Sequence, residues 1–122
     1  MTFYLMAIIM TGAAILLGMR FLFAGGSLLK EWGLEATTGS LILCRRIGAL
    51  YFGVALLFFF GRHAAPSDFR SAVCLIAAGI TAVLSGLGLF EFLSGRVRPG
   101  IFASVVAEAV VTVGFIWVWL GE

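Results

Sequence analysis

The stretch SAVCLIAAGITAVLSGLGLFEFL, residues 71–93, decides the fold of this chain. It is apolar almost throughout, and its single charged residue, Glu91, lies close to its end. A helix needs about 20 such residues to cross the hydrocarbon core of a bilayer. The segment therefore predicts a transmembrane helix.

Three other segments have the same character, and they cover residues 2–24, 40–60 and 101–120. Hydrocarbon cannot satisfy the hydrogen bonds of the backbone, so a spanning segment must be a helix or part of a closed barrel. The alternating pattern of barrel strands is absent. We predict an all-α, polytopic membrane protein, in which residues 1–122 form a single four-transmembrane-helix bundle.

The composition supports a membrane protein and excludes several functions. Of 122 residues, 62% are hydrophobic and 11% are charged, and Asn and Gln are absent. A soluble domain of this length could not bury so much apolar surface. The net charge of +2, without a basic cluster, does not indicate a nucleic-acid partner. One His and two Cys leave little material for a metal site, and no catalytic arrangement is visible. We expect no enzyme activity and no cofactor.

The distribution of basic residues predicts the orientation. Loops one and three carry six of the eight Arg and Lys residues on or near them, and the other side carries only Arg62 and Arg70. Cytoplasmic loops are enriched in basic residues. We therefore predict loops one and three in the cytoplasm and both termini outside.

Loop one, between the first two spans, leaves two interpretations open. Its middle, SLLKEWGLE at residues 27–35, mixes apolar with charged residues. This pattern fits one or two helical turns lying in the membrane interface. An ordinary polar linker fits equally well.

Small residues predict the faces on which the helices pack. Within lipid, helices associate through close approach at small side chains. In the third span Cys74, Ala78, Ala82 and Gly86 recur every four residues. Corresponding positions in the other spans are Gly18 in the first span and Gly48 and Gly53 in the second. The pattern does not distinguish packing within the chain from contact with another copy.

One acid, Glu108, lies inside the fourth span. It forms a polar stripe with Ser104 and Thr112, at positions i−4 and i+4. Seven residues separate it from the start of the span, which places it about 10 Å into the membrane. An ionised acid facing lipid tails is costly. We therefore expect Glu108 to face the bundle, a partner or a water-filled cavity, or to be protonated.

The same reasoning ranks the counter-charges. Arg46 lies about 9 Å into the second span from the same side, on a face with Ala49 and Gly53. Arg45 lies at a similar depth. We predict an ion pair between Glu108 and Arg46, with Arg45 as the second choice. Three roles stay open: a structural ion pair, a proton, ion or ligand site, or a contact to another subunit.

The run CRRIGALYFGVALLFFFGRHA, residues 44–64, resembles the second-helix signature of small four-helix DoxX-like bacterial membrane proteins. There an Arg followed by Gly-Ala-Leu opens a glycine-bearing apolar helix that ends in a short polar loop. The resemblance covers about 20 residues closely, and it marks Arg45, Arg46 and Gly48 as the motif. It implies a four-helix fold; most such proteins have no assigned activity, and one branch is associated with quinol oxidation.

Two functions follow from these observations. The first is a non-enzymatic accessory or assembly subunit that acts through its transmembrane surface, with the bilayer and other membrane subunits or further copies as partners. The second is a small oligomeric carrier or channel in which Glu108 binds a proton, a cation or an amphiphile.

Overall fold

A computed structural model describes residues 2 to 121, so the two terminal positions of the predicted 1–122 domain lie outside the described residues. This part of the chain folds into five α-helices and a single turn of 3-10 helix. The helices are α1 (Phe3–Phe23), α2 (Gly25–Glu31), α3 (Thr38–Phe60), α4 (Asp68–Leu93) and α5 (Phe102–Leu120), and the 3-10 turn, Pro99–Ile101, immediately precedes α5.

Four segments are long and apolar enough to cross a membrane: Phe3–Phe23, Thr38–Phe60, Asp68–Leu93 and Pro99–Leu120. They correspond to the four predicted spans, and the all-α four-helix bundle is confirmed. The protein is a multi-pass membrane protein.

Polar side chains define where the helices begin. Thr37 caps α3, and it forms a reciprocal capping box with Ser40, whose hydroxyl accepts from the Thr37 backbone N–H at 2.8 Å. Ser67 accepts from the backbone N–H of Arg70 at 3.1 Å. Because Ser67 caps α4 and Asp68 favours the first turn electrostatically, this helix begins three residues before the predicted start.

Loop one contains a helix, α2, which covers residues 27–31 of the segment predicted to be helical and ends before residues 32–35. Leu28 and Leu29 are buried, and they join Phe21 and Cys44 in a cluster between α1, α2 and α3. Glu31, at the end of α2, forms an ion pair with Arg20 of α1.

Loops one and three pack against each other at one end of the bundle. The backbone N–H of Arg98 donates to the carbonyl oxygen of Trp32 at 2.8 Å. Gly33 has φ +78°, and a Cβ there would lie 2.5 Å from Cγ of Arg98. Residues 24–37 and 94–98 form this end, which we call the arginine-rich end. Residues 61–67 form the other end, which we call the opposite end.

The helices pair unevenly. Contacts are extensive between α1 and α3 and between α4 and α5, and fewer contacts join α1 to α5. We call α1 to α3 the first hairpin, and α4 with α5 the second hairpin. Towards the opposite end, side chains from all four spanning helices meet in one core, in which Phe58 and Phe115 lie 5.4 Å apart between ring centroids. In the other half of the bundle the buried cluster belongs to the first hairpin alone.

Candidate functional site

A cavity of about 360 Å³ lies between the two hairpins. Its wall is almost entirely carbon, and all four spanning helices contribute to it. The lining residues used below are Tyr51, Leu57, Ile76, Ile80, Thr81, Ala107 and Glu108. Because its walls are the membrane-spanning helices, the cavity lies within the hydrocarbon layer.

The cavity opens sideways between α3 and α4. Leu57 on α3 and Ile76 and Ile80 on α4 line the cavity and are also 52%, 60% and 55% exposed. Extensive contact between α3 and α4 is absent among the described residues. A molecule dissolved in the bilayer could therefore reach the cavity from the side, without crossing either membrane surface.

Hydroxyl groups hold the second hairpin together beside the cavity. The side-chain oxygens of Thr81 and Thr112 lie 2.6 Å apart, and Ser85 donates to the carbonyl oxygen of Val105 at 3.0 Å. Thr112 also has its hydroxyl 2.8 Å from the carbonyl oxygen of Glu108. These bonds fix the rotation of α5, so the stripe predicted at Ser104, Glu108 and Thr112 faces the bundle interior.

Glu108 is half-buried and forms part of the cavity wall. Its carboxylate accepts a hydrogen bond from the hydroxyl of Ser104, one turn earlier on α5. Ser104 is neutral, so it orients the carboxylate without compensating a charge. The expectation that Glu108 faces the bundle or a cavity agrees with this position.

The structure does not bring the predicted counter-charges together with Glu108. The described residues contain no ion pair between Glu108 and either Arg46 or Arg45, and both arginines are exposed on α3. The reason is the rotation of α3, which turns Gly48 towards α1. Arg46 precedes Gly48 by two residues, which corresponds to a rotation of about 200° around the helix. Arg46 therefore points away from the contact between Gly48 and α1 and away from the interior.

Sequence analysis missed Tyr51, the polar side chain that α3 contributes to the cavity. Its ring stacks on Phe21 at 5.6 Å with an interplanar angle of 9°. Tyr51 and Glu108 both belong to the lining of the cavity. The position of Tyr51 could have been predicted from its spacing of three residues from Gly48, because residues at this spacing lie on adjacent parts of one helical face.

The predicted packing residues separate into two groups. Gly18, Gly48 and Ala78 lie inside the bundle: the first two bring α1 and α3 together, and Ala78 belongs to the core shared by all four spanning helices. Ala82, Gly53 and Gly86 are exposed, and a Cβ added at either glycine would meet nothing within 4 Å. The four-residue stripe of α4 therefore leaves the interior after Ala78, and the buried face continues through Thr81 and Gly88 instead.

No protein-family model, curated protein or solved structure matches the chain. The resemblance of residues 44–64 to DoxX-like proteins therefore stays a prediction from the sequence. Within residues 2–121, no group of three or more His, Cys, Asp or Glu side chains could hold a metal ion. The intramembrane cavity with Glu108 in its wall is thus the candidate site that the geometry provides.

Proposed function

We propose that this protein binds an amphiphilic, lipid-like molecule within the membrane, with the apolar part of the ligand in the cavity between the two hairpins. The observation that carries the proposal is the cavity itself, which all four spanning helices enclose. Its volume of about 360 Å³ lies at the lower end of the range of small-molecule sites, roughly 300 to 1,000 Å³.

The chemistry of the wall supports an apolar chain as the part of the ligand that occupies the cavity. Ligand pockets are mostly hydrophobic, with a few polar groups that fix the orientation. Here the polar groups are Tyr51, Thr81 and Glu108. Thr81 is already bonded to Thr112 and to its own helix, and the surface of the cavity is almost entirely carbon.

Photolabelling tests this function. The protein is placed in phosphatidylcholine vesicles with a diazirine-bearing dodecanol, irradiated, and digested for mass spectrometry. We expect labels on the helices at the positions that line the cavity. Labels spread evenly over the exposed faces of all four spanning helices would contradict the proposal.

A pair of matched variants sharpens this test. Ala107 lines the cavity and is exposed, whereas Ala109 is exposed on the same helix and does not belong to the lining. Ala107→Phe fills the cavity and should remove most of the labelling there. Ala109→Phe adds the same side chain towards lipid and should leave the labelling unchanged.

For localisation, we propose the bacterial plasma membrane, with the arginine-rich end in the cytoplasm. The six-to-two distribution of basic residues supports this orientation. Single cysteines placed at Ser94 and at Ala65, in a chain without Cys44 and Cys74, test it with a membrane-impermeant thiol reagent. Labelling from outside the cell is expected at position 65, and labelling at position 94 instead would reverse the orientation.

A second function, an accessory subunit that acts through its transmembrane surface, is supported by the exposed small residues. Ala49 and Gly53 on α3 and Ala82 and Gly86 on α4 face away from the bundle, where small residues permit close approach of another helix. Purification in mild detergent, followed by mass spectrometry of the intact assembly, tests this role. A stoichiometric partner that Gly53→Leu or Gly86→Leu releases would support it, and a monomer with wild-type behaviour in both variants would contradict it.

A further inference from the structure

A second cavity lies at the opposite end of the bundle, apart from the cavity between the hairpins. It is open, and its volume is about 700 Å³. The loop between α3 and α4 lines it together with the beginnings of α1 and α4 and the end of α5. The lining residues used below are Phe3, Tyr4, Arg62, His63, Arg70 and Val118. Because the ends of spanning helices form its wall, this cavity lies where the hydrocarbon layer meets the lipid headgroups.

The cavity contains the basic residues of this end of the molecule. Arg62 and Arg70 are the only Arg or Lys residues on this side of the predicted topology, and both line the cavity with His63, the only histidine of the chain. Among the described residues no Asp or Glu lines it, and Asp68 lines a different cavity. The enrichment of basic residues in cytoplasmic loops does not explain this cluster, because it lies on the side with fewer basic residues.

The protein holds both arginines in place. Nη1 of Arg62 donates to the carbonyl oxygen of Phe59, and Cζ of Arg62 lies 4.1 Å from the centroid of the Phe59 ring. Nη1 of Arg70 donates to the carbonyl oxygen of Ala64 at 2.8 Å, and its Cζ lies 4.9 Å from the centroid of the Phe3 ring. A guanidinium group has five N–H donors, so a single bond to a carbonyl leaves donors for a ligand.

Arg62 and His63 have the capacity to donate further hydrogen bonds. Arg62 forms no ion pair with any residue of the described range 2–121. The ring of His63 stacks on Tyr4 with 5.2 Å between ring centroids, and a histidine ring carries an N–H in its neutral and in its charged form. Arg70 has further interactions of its own, so it contributes positive charge without being required as a donor. Positive charge and N–H donors without an acid are the chemistry of an anion site.

We propose that this cavity binds the phosphate group of an anionic phospholipid, with Arg62 and His63 as donors and Arg70 as a second positive charge. The planar fork of a guanidinium matches two oxygens of a phosphate. The buried side chains of Phe3 and Val118 add an apolar part to the wall, which suits the region of a lipid beside its phosphate. This inference is independent of the ligand proposed for the cavity between the hairpins.

Photolabelling with two lipids tests the proposal. Phosphatidylglycerol and phosphatidylcholine, each with a diazirine next to the headgroup, are incorporated in equal trace amounts into phosphatidylcholine vesicles that contain the protein. We expect phosphatidylglycerol to label the peptides with Tyr4 and His63 about fivefold more, the factor that corresponds to one basic residue at a membrane surface. The choline cation should be repelled by the basic cluster. Equal labelling by the two lipids would overturn the proposal.

Matched arginine variants identify the group responsible. Arg62→Gln should lower the labelling by phosphatidylglycerol about fivefold and leave the labelling by phosphatidylcholine unchanged. Arg96→Gln is the control, since Arg96 lies at the arginine-rich end, is bonded to Glu91 and does not line this cavity. It should leave both labels at this cavity unchanged. An equal loss in the two variants would overturn the role of Arg62, because it would indicate a general attraction between the protein and anionic lipid.

Inorganic phosphate distinguishes a lipid from a soluble anion. Millimolar sodium phosphate is added to the vesicles, with sodium chloride of the same ionic strength as the reference. We expect both salts to leave the same amount of phosphatidylglycerol label. A loss specific to phosphate would overturn the lipid as the ligand and assign the cavity to a soluble phosphate. The comparison of the two lipids in the unchanged protein decides the proposal even if Arg62→Gln fails to fold.

Discussion

The two hairpins of this protein hold their helices together by different interactions. In the first hairpin, α1 and α3 approach closely at Gly18 and Gly48, and a Cβ on Gly48 would lie 2.9 Å from the carbonyl oxygen of Gly18. In the second hairpin, α4 and α5 are joined by hydroxyls, with Thr81 and Thr112 2.6 Å apart. Small residues and interhelical hydrogen bonds are the two means by which helices associate in lipid.

The gap between α3 and α4, on one side of the cavity, lacks both means. The α3 and α4 side chains that face each other across the cavity include Leu57, Ile76 and Ile80, which are bulky and do not form hydrogen bonds. In water the hydrophobic effect would close such a gap, but lipid tails solvate these side chains as well as a protein core does. The comparison therefore explains why a cavity can persist here while both hairpins are closed.

The largest expected effect is on the glycine contact of the first hairpin. In Gly48→Leu the new Cβ would lie 2.8 Å from Cγ of Leu22 and 3.0 Å from its backbone nitrogen. Backbone atoms of α1 cannot move aside locally, so the two helices must separate. We expect a loss of about 3 kcal/mol in the free energy of unfolding, measured by steric trapping in bicelles.

Gly53→Leu is the control for this change. It introduces the same side chain on the same helix at a position where nothing lies within 4 Å of a Cβ. We expect its unfolding free energy to stay within about 0.5 kcal/mol of the unchanged protein. Because leucine has a higher helix propensity than glycine, equal losses in both variants would show that the contact with α1 is not the cause.

A smaller effect is expected in the second hairpin. Thr112→Val removes the hydroxyl that contacts Thr81 and keeps the shape of the side chain. Interhelical hydrogen bonds in membranes are worth about 0.6 kcal/mol on average, so the loss should be several times smaller than for Gly48→Leu. A double-mutant cycle with Thr81→Val measures the coupling energy between the two hydroxyls directly. A coupling energy near zero would show that the hydroxyl pair does not stabilise the second hairpin.

The smallest effect concerns the ion pair at the arginine-rich end of the first hairpin. The side chains of Arg20 and Glu31 are 37% and 36% exposed, and ion pairs this accessible contribute about 0 to 1 kcal/mol. We expect Glu31→Gln to lower the unfolding free energy by less than about 0.5 kcal/mol at low salt. Added salt should erase the difference between the two proteins, because it screens accessible charges. A difference that is independent of salt would indicate that packing of α2, and not the charge pair, was disturbed.

The four spans could be predicted from the sequence, together with an expected depth for each residue in the membrane. Both follow from local quantities: the length of an apolar run, and the fixed rise of 1.5 Å per helical residue. The hydroxyl and carboxyl stripe at Ser104, Glu108 and Thr112 follows in the same way from helical periodicity, since all three residues must share a face.

The rotation of each helix about its own axis could not be predicted from the sequence and is seen in the folded structure. The helical rise predicts Arg46 at nearly the same depth as Glu108, but the contact of Gly48 with Gly18 turns Arg46 outward. Periodicity shows which residues share a face, but the direction of that face depends on which neighbour the helix meets. That choice rests on contacts between residues far apart in the chain, and it left Tyr51 with Glu108 beside a cavity instead of a pair of opposite charges.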